Sequence, residues 1–366
     1  MRRALRLAAR GLGETNPNPV VGCVVVKGGR VVGEGFHQRA GGPHAEVVAL
    51  ERAGALARGA TLYVNLEPCA HFGRTRPCAP RLVAAGLRRV VVAIPDPNPQ
   101  VAGRGLRLLR RSGLAVTRGV LRDEALVLNE RFLVAAGKAR PFVLLKAALS
   151  LDGRIATRLG DSKWITSPAQ RREARRLRRL HDGVMVGIGT VLSDDPMLLP
   201  EPRVRRAFHR IVLDTRLRIP LDSRLVRSSH RHPVWVLARR IDGSKRRRLE
   251  AMGVTVVTCP TSRGRIALGP ALAALRERGL WSVMVEGGSE VLGSFLHERL
   301  FDQVALFRAP LLVGGRGSLP AFGGPDPRLV ADARRLRAVS PLLRGRRLPV
   351  SRRGPKRSYE VWYPVD

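Results

Sequence analysis

The sequence predicts an α/β protein of two domains, and three observations predict it. A chain of 366 residues is long enough for two separate cores. Stretches such as residues 89–94, 142–148 and 281–285 are apolar at nearly every position, as strands are when helices cover both faces of their sheet. These stretches alternate with helix-length segments of mixed polarity, and the alternation itself marks the class. Pro141 is the expected boundary, giving domains of residues 1–140 and 141–366.

The elements follow in order. Residues 20–26 and 30–33 read as strands joined at Gly28-Gly29, a hairpin dipeptide. A helix is expected over residues 44–57, a strand over 61–66, a short helix over 79–85 and a buried strand over 89–94. Asp96-Pro97-Asn98-Pro99 interrupts the pattern, which resumes at residues 105–111 and at Val116. One helix is expected over residues 121–136, leading into the boundary. Beyond it, the strand 142–148 contains a single cation, Lys146, which needs a partner or a task in so apolar a run. A basic helix is expected over residues 168–181, strands over 210–215 and 281–285, and a last strand over 359–363. The strand 281–285 runs into Glu286-Gly287-Gly288-Ser289 and a helix, which presents backbone amides to an anion, here a dinucleotide phosphate. Gly187-x-Gly189 by itself is a weak signal of the same kind.

The formal charge of +37 raises a nucleic-acid reading. Against it, the arginines are spread from Arg2 to Arg357, and only 4% of residues are aromatic, so stacking platforms for bases are scarce. Runs such as residues 171–179 and Lys245-Arg246-Arg247-Arg248 are read as solvated helix faces. No specific nucleic-acid partner is expected. No apolar run approaches membrane-spanning length, and no secretory leader is visible behind Met1-Arg2-Arg3, so a cytoplasmic location and no membrane partner are expected. Four cysteines do not suggest a disulfide framework.

The chemistry is carried by His44-Ala45-Glu46, followed by Pro68-Cys69 and then Cys78. One imidazole and two thiolates fill three tetrahedral positions and leave a fourth for water, as in a catalytic zinc site. Zinc acidifies such a water. Glu46 is then placed to pass its proton to a leaving amine, as in the zinc nucleobase deaminases. Residues two apart diverge in mid-helix, but Gly42-Pro43 puts this pair at a helix start, where side chains converge. His-x-Glu alone is common by chance, and Cys69 and Cys78 could be ordinary buried thiols. The order of the fragments, with Glu67-Pro68-Cys69 closing an apolar strand, favours hydrolysis of an amine on a heteroaromatic ring. Eight residues, 70–77, separate the two cysteines where many deaminases have two, and this loop is expected over the pocket mouth.

At Asn16-Pro17-Asn18-Pro19-Val20-Val21-Gly22-Cys23, Gly35-Phe36-His37-Gln38-Arg39-Ala40-Gly41, Pro43-His44-Ala45-Glu46, Glu67-Pro68-Cys69, Gly73-Arg74-Thr75 and the stretch 96–105, the chain resembles the bifunctional deaminase-reductase family of riboflavin biosynthesis. The resemblance implies a cytidine-deaminase-like zinc domain, one Zn2+ on His44, Cys69 and Cys78, and a small phosphorylated diaminopyrimidinone as substrate. It gives Glu46 the proton shuttle, Asn18, His37 and His71 contacts to pyrimidine and ribose, and Arg74 the phosphate. Arg76 stands where the family usually has a proline.

Lys146 with Ser150-Leu151-Asp152-Gly153, Trp164-Ile165-Thr166-Ser167, Gly189-Thr190-Val191-Leu192, Asp194-Asp195-Pro196 and Glu286-Gly287-Gly288 resemble the reductase half. That half implies a dihydrofolate-reductase-like domain using NADPH to deliver hydride to C1 of the ribose; separately, a homo-oligomer is expected. By position, Ala148, Trp164, Thr166, Thr190, Asp194, Thr215 and Gly288, Ser289, Glu290, Val291, Leu292, Gly293 and Ser294 would meet the cofactor. Ser162, Arg178, Leu198 and Glu286 would meet the substrate, and Lys146 would polarise the reacting sugar. One departure stands out. Glu201 occupies the place of the family's phosphate-binding arginine, and Arg203, two residues later, is expected to join Arg178 on the phosphate while Glu201 faces solvent. The alternatives are a deaminase whose second domain only binds or oligomerises, motivated by Glu201, and a nucleic-acid-associated base deaminase, motivated by charge.

Overall fold

Gly28 and Gly29 both take positive φ (53° and 73°), the backbone of a two-residue hairpin turn, and the chain folds back there as the dipeptide requires. The structure, a computed structural model, describes residues 1–72, 76–97, 102–241, 243–338 and 358–365. These residues fall into two compact units that part between Lys138 and Ala139.

The first unit begins with helix α1 (Arg2–Ala9), followed by β1 (Gly22–Lys27), β2 (Arg30–Phe36), α2 (Ala45–Ala53), β3 (Thr61–Leu66), α3 (Cys78–Ala84), β4 (Arg89–Ile94), α4 (Arg104–Arg111), β5 (Ala115–Arg118), α5 (Arg122–Leu128) and α6 (Glu130–Ala136). The sheet order is β2-β1-β3-β4-β5, antiparallel around β1 and parallel from β3 to β5. Helix α1 was not anticipated; its signal is Ala4, Leu7 and Ala8, which share one helical face and are buried. Two glycines let α2 lie directly on β2. A Cβ at Gly35 would stand 2.7 Å from Val48 Cβ and 2.8 Å from the Ala45 carbonyl oxygen, and one at Gly33 would overlap the Ala49 carbonyl. The expected single helix over 121–136 is broken at Asn129. Its buried side-chain amide accepts from the Val20 N–H (2.9 Å) and donates to the Val20 carbonyl (3.1 Å), pairing with backbone far away in sequence instead of continuing the helix face.

The second unit runs β6 (Phe142–Leu149), β7 (Arg154–Ala156), α7 (Pro168–Arg178), β8 (Gly183–Gly187), α8 (Ile188–Asp194), β9 (His209–Leu213), α9 (Arg224–Arg227), β10 (Val234–Ala238), α10 (Ser244–Ala251), β11 (Val254–Thr258), β12 (Thr261–Ser262), β13 (Arg265–Ile266), α11 (Leu268–Glu277), β14 (Ser282–Gly287), α12 (Ser289–His297), β15 (Gln303–Arg308), β16 (Leu319–Pro320), β17 (Leu336–Arg337) and β18 (Glu360–Pro364). Its main sheet has the order β11-β10-β9-β8-β14-β6-β15-β18-β17. The strands from β11 to β15 are parallel, and β18 joins antiparallel. Slotting β14 between β8 and β6 places the ends of β8 and β14 side by side, each running straight into a helix. Carboxyl ends of neighbouring parallel strands are where such sheets bind ligands. Helix α7 opens with a full capping box, Ser167 accepting from Gln170 N–H and Gln170 returning a bond to Ser167 N–H. Apolar clusters cover both faces of the sheet, one with Val143, Leu145, Val285 and Phe295, the other with Val184, Val212, Val236 and Leu225.

Candidate active sites

In the first unit, local structure explains the convergence that the sequence motif requires. His44 is the N-cap of α2, Cys78 is the first residue of α3, and Cys69 follows the end of β3. His44 Nδ1 lies 3.2 Å from Cys78 Sγ and 3.6 Å from Cys69 Sγ, and the three ligand atoms lie within 4.8 Å of one another. A tetrahedral zinc with ordinary Zn–N and Zn–S bonds would hold such nitrogen and sulfur atoms about 3.6 Å apart, so the donor set fits that ion. The thiols are already tuned. Hydrogen bonding from Cys78, then from His44, draws Cys69 well below the ordinary thiol range, while the same bond and burial push Cys78 up. A bound cation favours release of both thiol protons.

Glu46 stands in the first turn of α2, 4% exposed and outside the ligand trio. Burial raises its carboxyl to about 7, against the opposing pull of His44. That is the range in which a group both accepts and returns a proton. Asn18 and His37 pair with each other next to His44. The Pro43 carbonyl can only accept, so His37 Nδ1 carries the proton (3.0 Å) and Nε2 accepts from the Asn18 amide (3.0 Å). Burial lowers the His37 pKa, keeping this tautomer neutral. The His37 and His44 rings meet edge to face at 5.4 Å. His71 presents a buried Nδ1 with no hydrogen-bond partner among the described residues. Arg74 lies outside the described residues.

In the second unit, Lys146 on β6 and Glu286 at the end of β14 occupy neighbouring strands, and Arg178 at the end of α7 reaches between them. Arg178 grips Glu286 through Nε and Nη2 (2.8 Å for the latter) and donates from Nη1 to the Leu199 carbonyl (3.0 Å). Lys146 Nζ lies 5.4 Å from the Phe307 ring centre and makes no ion pair among the described residues. Burial lowers its pKa, opposed by the Glu286 charge. Ala148 lies two residues along the same face of β6. Gly187 and Gly288 are the N-caps of α8 and α12, neither capped by a side chain, and a Cβ at Gly287 would stand 3.2 Å from Thr190 Oγ1. Two uncapped helix starts with Thr190 between them form a cradle suited to a dinucleotide phosphate. Trp164 is exposed with the Arg171 guanidinium 4.2 Å above it, Thr166 is buried, and Asp194 pairs with Lys163 (3.6 Å). Thr215 follows β9 and its carbonyl accepts from Arg239 N–H (3.2 Å), while Ser162 is half-buried.

Several expected contacts are placed differently. The Leu198 and Leu292 side chains are buried in apolar clusters, and Gly293 is closed off by the Gly323 carbonyl. Only the backbone at these positions is left for a ligand. Ser294 Oγ bonds back to the Glu290 carbonyl (2.8 Å), and Glu290 pairs with Arg265 (2.9 Å). Arg203 is exposed, and its charge acts on His232, together with those of Arg210 and Arg231. Glu201 pairs with Arg175 (2.5 Å) rather than with water alone. The arginine run on α7 is therefore not simply a solvated face. Arg171, Arg175 and Arg178 share one side of the helix and meet Trp164, Glu201 and Glu286 in turn.

Residues 1–94 match the family model described as cytidine and deoxycytidylate deaminase zinc-binding region, and residues 141–342 match the RibD C-terminal domain. The chain is 46% identical over 317 residues to the riboflavin biosynthesis protein RibD of Bacillus amyloliquefaciens, covering 86% of this chain and 85% of that one. It is 42% identical to the RibD of Escherichia coli (strain K12), covering 86% and 88%. Among solved structures, RibD of Acinetobacter baumannii superposes with a TM-score of 0.85 at 37% identity, covering 100% of this chain and 98% of that one. A Thermotoga maritima structure, described as a diaminohydroxyphosphoribosylaminopyrimidine deaminase/5-amino-6-(5-phosphoribosylamino)uracil reductase, superposes at 0.82 with 35% identity, covering 100% and 97%. With a deaminase zinc-binding region at one end, a reductase domain after it and this identity across both, the chain belongs to the RibD family of riboflavin biosynthesis proteins.

Proposed function

We propose that the chain catalyses two successive steps of riboflavin biosynthesis. The first is zinc-dependent hydrolytic deamination of 2,5-diamino-6-(5-phosphoribosylamino)pyrimidin-4-one. The second is NADPH-dependent reduction of the ribosyl group of the resulting aminouracil to ribityl. One observation carries the reading above the others: three metal-ligand atoms within 4.8 Å of one another, beside a buried glutamate that is not one of them.

His44, Cys69 and Cys78 would hold the zinc, which would supply Lewis-acid activation of a water. Glu46 would take a proton from the attacking water and return it to the exocyclic amine, so that C–NH2 and H2O become C=O and NH3. Asn18, oriented by neutral His37, keeps its amide oxygen for a ring N–H, and His71 Nδ1 is a further polar contact for the sugar. In the second unit NADPH supplies the hydride, and the amides at Gly288 and Ser289 with Thr190 would receive its phosphates. Arg178 and Glu286 would orient the substrate, with Ser162 as a further contact. Lys146 Nζ, half-buried and making no ion pair among the described residues, would hold a proton at the sugar oxygen as the ring opens. The same reading takes the protein to be a cytoplasmic homo-oligomer.

The purified chain should carry about one zinc. Glu46→Gln should keep that metal and lose deamination, whereas Cys69→Ser and Cys78→Ser should lose the metal. All three should still oxidise NADPH when supplied with the deaminated intermediate. Metal loss in Glu46→Gln, or full zinc in both cysteine variants, would overturn the assignment.

A further inference from the structure

We propose that Glu67 is a positioning residue of the metal centre, fixing Cys69 by locking the Glu67-Pro68 turn onto the start of α4. Its carboxylate is buried and has no cationic partner among the described residues. Backbone donors compensate it instead. Oε2 accepts from the N–H groups of Gly103 (3.0 Å) and Asp96 (3.4 Å), and Oε1 accepts from that of Leu106 (3.2 Å). Leu106 is the third residue of α4, a helix with no acidic side chain in its first turn and with Gly103, which has no side chain to offer, as its N-cap. Glu67 therefore caps α4 from another element and meets the positive end of its dipole.

A second contact is independent of the carboxylate. Gly105, in the first turn of α4, lies directly against the Pro68 carbonyl, and a Cβ there would overlap that oxygen. On the other side, the Cys69 carbonyl accepts from Ala79 N–H (3.0 Å) and Cys69 Sγ accepts from Cys78 N–H (3.4 Å). The Pro68-Cys69 dipeptide is thus strung between two helix starts, α4 through Glu67 and Pro68, and α3 through Cys69. A thiolate that must meet a tetrahedral site within a few tenths of an ångström needs both anchors. Groups of this kind, one step removed from the metal, typically change its affinity by about 10–100-fold when altered.

The inference rests on the zinc reading above, and the test separates the two. Zinc affinity of the full chain is measured by equilibrium competition with a chromophoric chelator, and the Co2+-loaded protein is examined for its thiolate-to-metal absorption band. Glu67→Gln keeps the shape but turns an NH2 donor towards at least one backbone N–H. Gly105→Ala pushes the Pro68 carbonyl while leaving the carboxylate intact. Both should weaken zinc by about 10-fold or more and shift the Co2+ band, whereas Leu7→Ala, a core truncation on α1, should lower thermal stability without moving either. Zinc affinities within about twofold of the parent chain in the variants would overturn the inference. Should Glu67→Gln fail to fold, Gly105→Ala carries the same decision. A parent chain that takes up no zinc would instead overturn the zinc reading itself.

Discussion

Glu46 shows how one residue links folding to chemistry. Its carboxyl is raised from 4.5 to about 7 chiefly by burial. In the metal-free protein that shift is also a statement about stability. The folded-state pKa lies above the unfolded value, so the contribution is fully present below pH 4.5 and is lost as pH rises through about 7. Above that, the fold must bury a carboxylate that the unfolded chain would solvate, at a cost of roughly 3 kcal/mol. Zinc-stripped Glu46→Gln should therefore resist urea better than the zinc-stripped parent at pH 8, with the difference vanishing near pH 4.5. A difference independent of pH would contradict this account. Arg178 and Arg203 make a second contrast. Truncating Arg178 leaves Glu286 buried and unpaired, so Arg178→Ala should raise the Michaelis constant for the phosphorylated intermediate by about 10-fold or more. Arg203→Ala, exposed beside His232, should change it by less than about twofold. Equal effects would place Arg203 in the substrate site.

At the scale of elements, strands were the most legible part of the sequence. Residues 61–66 and 89–94 read as strands with the observed limits, because their apolar runs have no helical period and end at turn residues. The zinc trio was legible for a related reason: each member sits at a helix start or a strand end that local residues mark. The break at Asn129 was not legible, since its cause is Val20, distant in the chain. Nor was the pairing of α7, whose arginines find Glu286 and Glu201 across the fold; charge patterning along one helix cannot reveal what lies opposite. Asn129→Ala should leave the Val20 N–H buried and unpaired, while the Val20 carbonyl keeps its bond from the Asn65 amide (2.9 Å), and destabilise the first unit by about 1–3 kcal/mol, measurable as a lowered urea midpoint. Gly35→Ala should force α2 off β2 and misplace His44 and Glu46 together, so deamination should fall further than the reductase step. An unchanged midpoint for Asn129→Ala would mean that α5 and α6 are not held by that amide.

Over the whole molecule, the formal charge of +37 is the property least tied to either site. It should give weak, sequence-blind binding to polyanions that falls steeply with salt, with heparin and unrelated duplexes competing equally. A salt-resistant preference for one sequence would contradict that. Among the described residues no helix is long and apolar enough to cross a membrane. What joins the two units is the chemistry: the first unit's product is the second's substrate. The most direct measurement is a coupled assay on the full chain supplied with the diaminopyrimidinone ribosyl phosphate and NADPH, with and without prior zinc removal. The account predicts one NADPH oxidised per ammonia released by the zinc-loaded chain and neither by the stripped chain, in which adding the deaminated intermediate restores NADPH oxidation without ammonia release. Oxidation of NADPH at the full rate by the stripped chain on the diamino substrate, or none by the zinc-loaded chain, would contradict it.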